Sequence, residues 1–254
     1  MTLADSAGLA LAVTAVLAVA ARFAGALTTG GAVAGAVVGA CVSVGFGLPG
    51  LAVLGTFFVV GTLATRVGWE KKKARGTAEA GEGRRDWKRV LGKGGVAAAC
   101  ALLALLGPDR FLGAAAFPGA VAAALADTLG TEIGTIFDRE PRSVPGLRRV
   151  PVGTPGAVSF PGTIAAAFGA LVTGAVWCVV NEMAGATFVS VAAGIMACGL
   201  AASLIESWAV GLGMRAPGFV RNVLTTLVGA CLTVIGFACM LSFEFARMGP
   251  SFIR

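Results

Sequence analysis

Apolar and polar positions in this chain fall into long blocks rather than alternating with a helical or strand period. Uncharged, mainly apolar runs occupy 6–21, 23–65, 94–108, 111–126, 150–181, 183–205 and 222–243. A helix that crosses hydrocarbon needs about 20 such residues, so these runs predict membrane helices. The run 23–65 is too long for one crossing, and Gly47-Leu48-Pro49-Gly50 near its middle predicts a turn. That divides it into two helices and makes eight in all. The runs 94–108 and 111–126 are short, and the second reaches spanning length only by continuing through Asp127 and Glu132 to about Phe137. The segment Met1–Ala21 lacks a basic leader, since Asp5 is its only charge, and reads as a first helix rather than a signal peptide. The expected fold is all-α: one polytopic membrane bundle over 1–254, with basic loops at about 66–93 and 138–152.

Composition agrees with that pattern. Hydrophobic residues make up 57% and charged residues 13%, about half the charged share of a soluble domain. Mean hydropathy is +0.87. The absence of histidine and tyrosine excludes Ser-His-Asp triads, histidine-ligated zinc and any imidazole base. The six cysteines, at 41, 100, 178, 198, 231 and 239, lie inside apolar runs without a CxxC pair, and read as small hydrophobes.

Charge sets an orientation. With eight spans, one side of the membrane collects 17 basic residues and the other keeps Arg110, Arg247 and Arg254. The richer side is expected to be cytoplasmic, with both termini outside, as in a bacterial inner membrane. Residues 66–93 carry ten basic and four acidic side chains. Such a loop suits anionic headgroups or a polyanionic substrate. With only Trp69 and Trp87 as aromatic platforms, it does not suit nucleic acid.

Ionisable groups inside spans are costly unless paired or facing water. Three stand out: Asp127 and Glu132 in Ala126-Asp127-Thr128-Leu129-Gly130-Thr131-Glu132-Ile133-Gly134, and Glu206 in Leu204-Ile205-Glu206-Ser207-Trp208. Asp127 lies 16 residues after Phe111, or about 24 Å along a helix, close under one face of a core about 30 Å thick. Glu132 and Glu206 are expected at the same level. On an ideal helix Asp127 and Glu132 are about 140° apart, so a broken or tightened turn at Gly130 would be needed to bring both onto one ion. Carboxylates beside clustered Lys and Arg suggest Mg²⁺ with phosphate; the alternative is an internal salt bridge. Gly130 and Gly134, like the Gly31, Gly35, Gly39 ladder, suit close backbone approach. The segment 151–163, with Gly153, Thr154, Gly156, Ser159, Gly162 and Thr163, leads into a helix. It has the small residues and free N–H groups that cradle anions.

These segments, in this order, resemble an integral membrane family that includes the plant phytyl-phosphate kinase. That family is related more distantly to phytol kinase, dolichol kinase and the CTP-dependent lipid cytidylyltransferases. Its pattern A-D-T-W-x-S-E-x-G followed by G-T-N-G-G-V-S-x-x-G-T is similar to residues 126–134 and 153–163 here. The stretch Gly83-Arg84-Arg85-Asp86-Trp87-Lys88-Arg89-Val90-Leu91-Gly92-Lys93-Gly94 resembles the family's basic box. Glu206 falls where the family has Asp, and Asn222 where an Asn opens the last helix. Departures are Leu129 for Trp, Pro155 for Asn, Ala157 for Gly, and Arg89 and Lys93 for Gln and Asn.

The resemblance implies a kinase moving a phosphoryl group from a nucleotide, CTP above all, to a polyisoprenyl or phytyl monophosphate. It implies Asp127 and Glu132 as catalytic Mg²⁺ ligands, with Glu206 as a further ligand. Arg84, Arg85, Lys88, the 153–163 loop and Asn222 would bind nucleotide phosphates. A cytidylyltransferase is the nearest rival, an ion-coupled transporter the rival from another class, and a homodimer remains open.

Overall fold

The computed structural model describes residues 3–79, 81–138 and 140–248. Arg139 and Arg254, both counted in the charge tally, lie outside the described residues. The chain runs through α1 (Leu3–Phe23), α2 (Thr29–Arg66), α3 (Trp69–Ala74), α4 (Trp87–Leu106), α5 (Arg110–Phe137), β1 (Arg142–Ser143), β2 (Ala157–Val158), α6 (Phe160–Val180), α7 (Gly185–Gly211) and α8 (Gly218–Met248). Six of these, α2 and α4 to α8, are long and apolar enough to cross a membrane, and α1 contributes a shorter apolar stretch, Ala7–Phe23.

The helix starts follow from local chemistry. Thr28, Asp86, Asp109 and Ser159 cap α2, α4, α5 and α6, each accepting a hydrogen bond from a backbone N–H of the first turn. The Asp86 cap begins α4 at Trp87, so the last seven residues of the basic stretch at 66–93, read as a loop, are helical. Conversely, 150–159 does not join α6: Pro151 and Pro155 lack the N–H a helix needs, and the segment folds back so that β2 pairs with β1.

Thirty-eight residues of straight helix would be about 57 Å long, yet both ends of α2 lie together. The Arg66 guanidinium donates to the Ala24 carbonyl at 2.7 Å. A reversal at Gly47 (φ 61°, ψ −149°) accounts for this, in a region of backbone space open essentially to glycine alone. Phe46, just before the reversal, packs against Phe117 and Trp177 with ring centroids 4.8 and 6.1 Å away.

Helix α5 is the hub, packed against α2, α4, α6, α7 and α8. Its middle, from Ala115 to Ala126, is buried throughout and mostly alanine, which lets neighbouring backbones come close. A Cβ on Gly119 would collide with the Gly229 carbonyl and Thr233 of α8, and one on Gly162 would lie 2.7 Å from the Gly130 carbonyl. The Gly130/Gly134 step is therefore a contact between α5 and the start of α6. In the glycine ladder of α2, Gly31 makes room for the Arg85 backbone and Gly39 for Thr14 of α1.

Candidate functional site

At the end of the bundle that carries the basic segments, α1, α2, α4, α5, α7, α8 and the 152–163 segment enclose one cavity of about 820 Å³. That size is ordinary for a small-molecule site. Its polar end holds Arg85, Arg89, Lys93 and Arg221 together with Asp127, Glu132 and Glu206. Its other wing is apolar and runs between α1 and α2, past Leu17, Ala18, Val38, Leu51, Leu54 and Phe58.

Asp127 faces this space. Its Oδ2 accepts from the Lys93 ammonium at 2.6 Å, and Lys93 also lies 2.7 Å from the Thr128 hydroxyl. Lys93 and Asp127 keep 17% and 18% of their side chains accessible. Glu206 reaches in from α7 and meets the Asp127 carboxyl group in side-chain contact, with the Arg221 guanidinium 3.6 Å from Glu206 Oε1. Carboxylates 79 positions apart in the chain thus share one corner of the cavity with two cations.

Glu132, expected on the same ion, is directed elsewhere. Helix α5 continues unbroken through Gly130, so the angular offset from Asp127 is kept. The Glu132 carboxylate accepts from the Lys72 ammonium at 2.6 Å and from the Thr65 hydroxyl at 3.1 Å. Only 1% of the Lys72 side chain and 7% of Glu132 are accessible. Lys72 also donates to the carbonyls of Ala64 and Thr65, satisfying acceptors that the last turn of α2 leaves open. The pair therefore ties α3 to the ends of α2 and α5. Among the described residues no three Cys, Asp or Glu side chains gather closely enough to cage an ion. The Asp127–Glu206 corner does fit Mg²⁺, which takes one or two carboxylates and fills its shell with phosphate oxygens and water.

The basic residues also sort differently from expectation. Arg84 and Lys88 lie off the cavity: Arg84 pairs with Glu82 in solvent, and Lys88 rests over Trp87. The cavity is lined instead by Arg85, Arg89 and Lys93; Arg89 and Lys93 lie four apart in the first turns of α4, and Arg85 immediately precedes its cap, bridged to Leu27. The i, i+4 spacing of Arg89 and Lys93, which puts two side chains on one helix face, was the signal available in the sequence; Arg85 reaches the cavity from extended backbone. Arg89 pairs with Glu79. Arg85 is only 7% exposed and stacks against Phe57 and Phe58, 5.5 and 5.9 Å from its Cζ. Burial pulls its pKa below the ordinary guanidinium value, an effect opposed by the charges of Glu79 and Glu132; a guanidinium nonetheless stays charged.

The 153–163 segment lines the cavity, as does Asn222, although several of its groups have local duties. Ser159 accepts from the Gly162 N–H, the Thr163 hydroxyl donates to the Ser159 carbonyl, and the Thr154 hydroxyl donates to the Pro151 carbonyl. Gly153 and Gly156 adopt positive φ, 87° and 75°. A side chain at Gly156 would strike the α7 backbone at Ser207 and Gly211. The segment is thus a wall held close to α7.

Relatives match about half of the chain. An uncharacterized membrane protein, sll0875, of Synechocystis is 34% identical over 131 residues, covering 51% of each chain. An uncharacterized membrane protein, MJ0933, of Methanocaldococcus jannaschii is 36% identical over 124 residues, 49% of this chain and 50% of its own. The chloroplastic protein VTE6 of Arabidopsis thaliana is 30% identical over 142 residues, 54% of this chain and 43% of its own. The chain spans about half the length of these curated relatives. No solved structure matches it. The sequence profile of the integral membrane protein family DUF92 matches residues 12–233, nearly the whole chain, and the protein belongs to that family.

Proposed function

We propose that this protein is a Mg²⁺-dependent lipid-phosphate kinase that converts a polyisoprenyl or phytyl monophosphate to its diphosphate, with CTP as donor. The observation that carries this reading is the shape of the cavity: one space, charged at one end and apolar along the other. A phosphorylated lipid needs such a space if its chain stays in hydrocarbon while its phosphate meets a water-soluble nucleotide. The family motifs around Asp127 and Glu206 point the same way, as does the distant relationship to VTE6.

In this account α1 and the two arms of α2 each cross the membrane, making eight spans. The basic segments face the cytoplasm, the termini lie outside, and the site sits at the inner boundary. An oxygen of the lipid phosphate attacks the γ-phosphorus; the bond to the bridging oxygen of the β-phosphate breaks, and CDP leaves. The attacking oxygen is already anionic, so no base is needed, consistent with a chain that lacks histidine. Phosphoryl transfer depends mostly on positioning and charge stabilisation. When bound, Mg²⁺ would neutralise charge on the phosphates, and Asp127 and Glu206 would hold it. Lys93 aims Asp127, Arg89 and Arg221 offset nucleotide charge, and the 153–163 wall with Asn222 borders the nucleotide. Glu132 serves the fold rather than the ion.

The test is incubation of the purified protein with Mg²⁺, γ-labelled CTP or ATP and prenyl monophosphates. The expected result is label in a lipid-extractable diphosphate with stoichiometric CDP. Pyrophosphate release with CMP attached to the lipid would replace the kinase with a cytidylyltransferase. Unlabelled lipid with every donor, together with ion-driven flux in proteoliposomes, would favour a transporter.

A further inference from the structure

Arg85 is a largely buried cation, 7% exposed, whose guanidinium makes no hydrogen bond to the described residues. Its backbone is fixed: the N–H donates to the Ala26 carbonyl at 2.9 Å, and its carbonyl accepts from the Thr28 N–H at 3.1 Å. Its guanidinium lies along the second arm of α2, where a Cβ on Gly61 would come within 2.8 Å of Nη2. The faces of Phe57 and Phe58 flank it. No acceptor for its five N–H donors occurs among the described residues, although it lines the cavity. Its N–H groups are not sealed in protein but open onto the cavity, where an anion would take them up in the forked geometry that suits phosphate.

Arg85 also stands at a boundary. Phe57 and Phe58 belong to the apolar wing between α1 and α2. On the second arm of α2 that wing extends from Leu63 to Leu51, twelve residues, or about 18 Å of helix. Gly39 lets Thr14 close on α2, and the Thr14 and Ser43 hydroxyls are 3.0 Å apart; both Thr14 and Gly39 line the wing. Partway along, Gly55 faces open space, with nothing within 4 Å of where its Cβ would be. A cation at the mouth of an apolar groove matches a molecule with one anionic head and one apolar chain.

We infer that Arg85 is the receptor for the phosphate of a single-chain lipid monophosphate whose chain lies in the α1–α2 groove, leaving the nucleotide to the α5–α7–α8 side. This rests on the proposed function for the identity of the lipid, and it moves Arg85 from the nucleotide to the acceptor. It also gives the groove a measuring role: chain beyond about 18 Å of helix rise has no further wall to bind.

The experiment measures binding without nucleotide or Mg²⁺, by native mass spectrometry of the full-length protein against prenyl monophosphates of increasing length and the matching alcohols. Affinity should rise with chain length and then level off, and each alcohol should bind at least about tenfold more weakly than its phosphate, the scale of one or two charged hydrogen bonds. Arg85→Met should remove the preference for phosphate over alcohol while keeping the chain-length dependence. Gly55→Phe should weaken long-chain phosphates about tenfold or more and leave the shortest unchanged. Gly194→Phe, in an equally open position on α7 away from the cavity, should change neither. Binding independent of chain length, or long-chain binding unaffected by Gly55→Phe, would overturn the inference. So would an intact phosphate preference in Arg85→Met. If chain-length-dependent binding is found but no donor transfers label, the kinase reading fails and the groove stands; label transfer with length-independent binding gives the reverse.

Discussion

Helix α5 carries two lysine–carboxylate pairs of equal length, Lys72–Glu132 and Lys93–Asp127, both 2.6 Å. They sit five residues apart on the same helix and differ in surroundings. In the first, Glu132 borders the cavity but its carboxylate is taken up by Lys72 and Thr65, and only 1% and 7% of the Lys72 and Glu132 side chains are accessible. The second opens onto the cavity with another carboxylate beside it. Equal geometry with unequal access teaches that an intramembrane ion pair is assigned to folding or to chemistry by what else touches it. A fully satisfied pair holds helices together; one with an open side remains available to a ligand.

That contrast is open to test by mutation. The largest effect is expected at the less accessible pair. Lys72→Met strands Glu132 and should lower stability by about 3–5 kcal/mol, read as a fall in thermal midpoint in detergent. Lys72→Met with Glu132→Leu should recover much of it. Asp127→Asn should reduce phosphoryl transfer by roughly 10²–10³-fold, the scale of losing a preorganised charge contact, while the thermal midpoint changes little. Equal losses of stability at both sites would erase the distinction. Thr65→Val removes one hydrogen bond to Glu132, with an expected cost of about 1 kcal/mol. Arg84→Ala, which severs a solvent-exposed pair off the cavity, should stay within about 0.5 kcal/mol and leave activity intact.

The helices were legible because hydrophobic blocks of membrane length have few alternative folds. The reversal in α2 was legible as well, since Gly47 and Pro49 mark it. The extension of α5 to Phe137 followed from span length alone. The inner end of the bundle was harder to read. Nothing in Lys71-Lys72-Lys73 says which lysine is buried; that depends on where α3 docks. The 140° offset between Asp127 and Glu132 warned that they would separate, but their partners come from 34 to 67 positions away. Arg89 and Lys93 share a helix face that only becomes visible once Asp86 is seen as a cap, moving the start of α4 upstream into the basic stretch, while Arg85 is placed by a bridge to Leu27 that the sequence does not announce. Gly156 has the look of a phosphate-loop glycine, and its missing side chain also makes room for α7.

The most direct measurement compares label transfer from γ-labelled CTP to a prenyl monophosphate in Asp127→Asn and Glu132→Gln, each normalised to folded protein by its melting profile. The account predicts loss of transfer in folded Asp127→Asn, and transfer within a few-fold of wild type in whatever fraction of Glu132→Gln folds. Retained transfer in Asp127→Asn, or abolished transfer in well-folded Glu132→Gln, would contradict it.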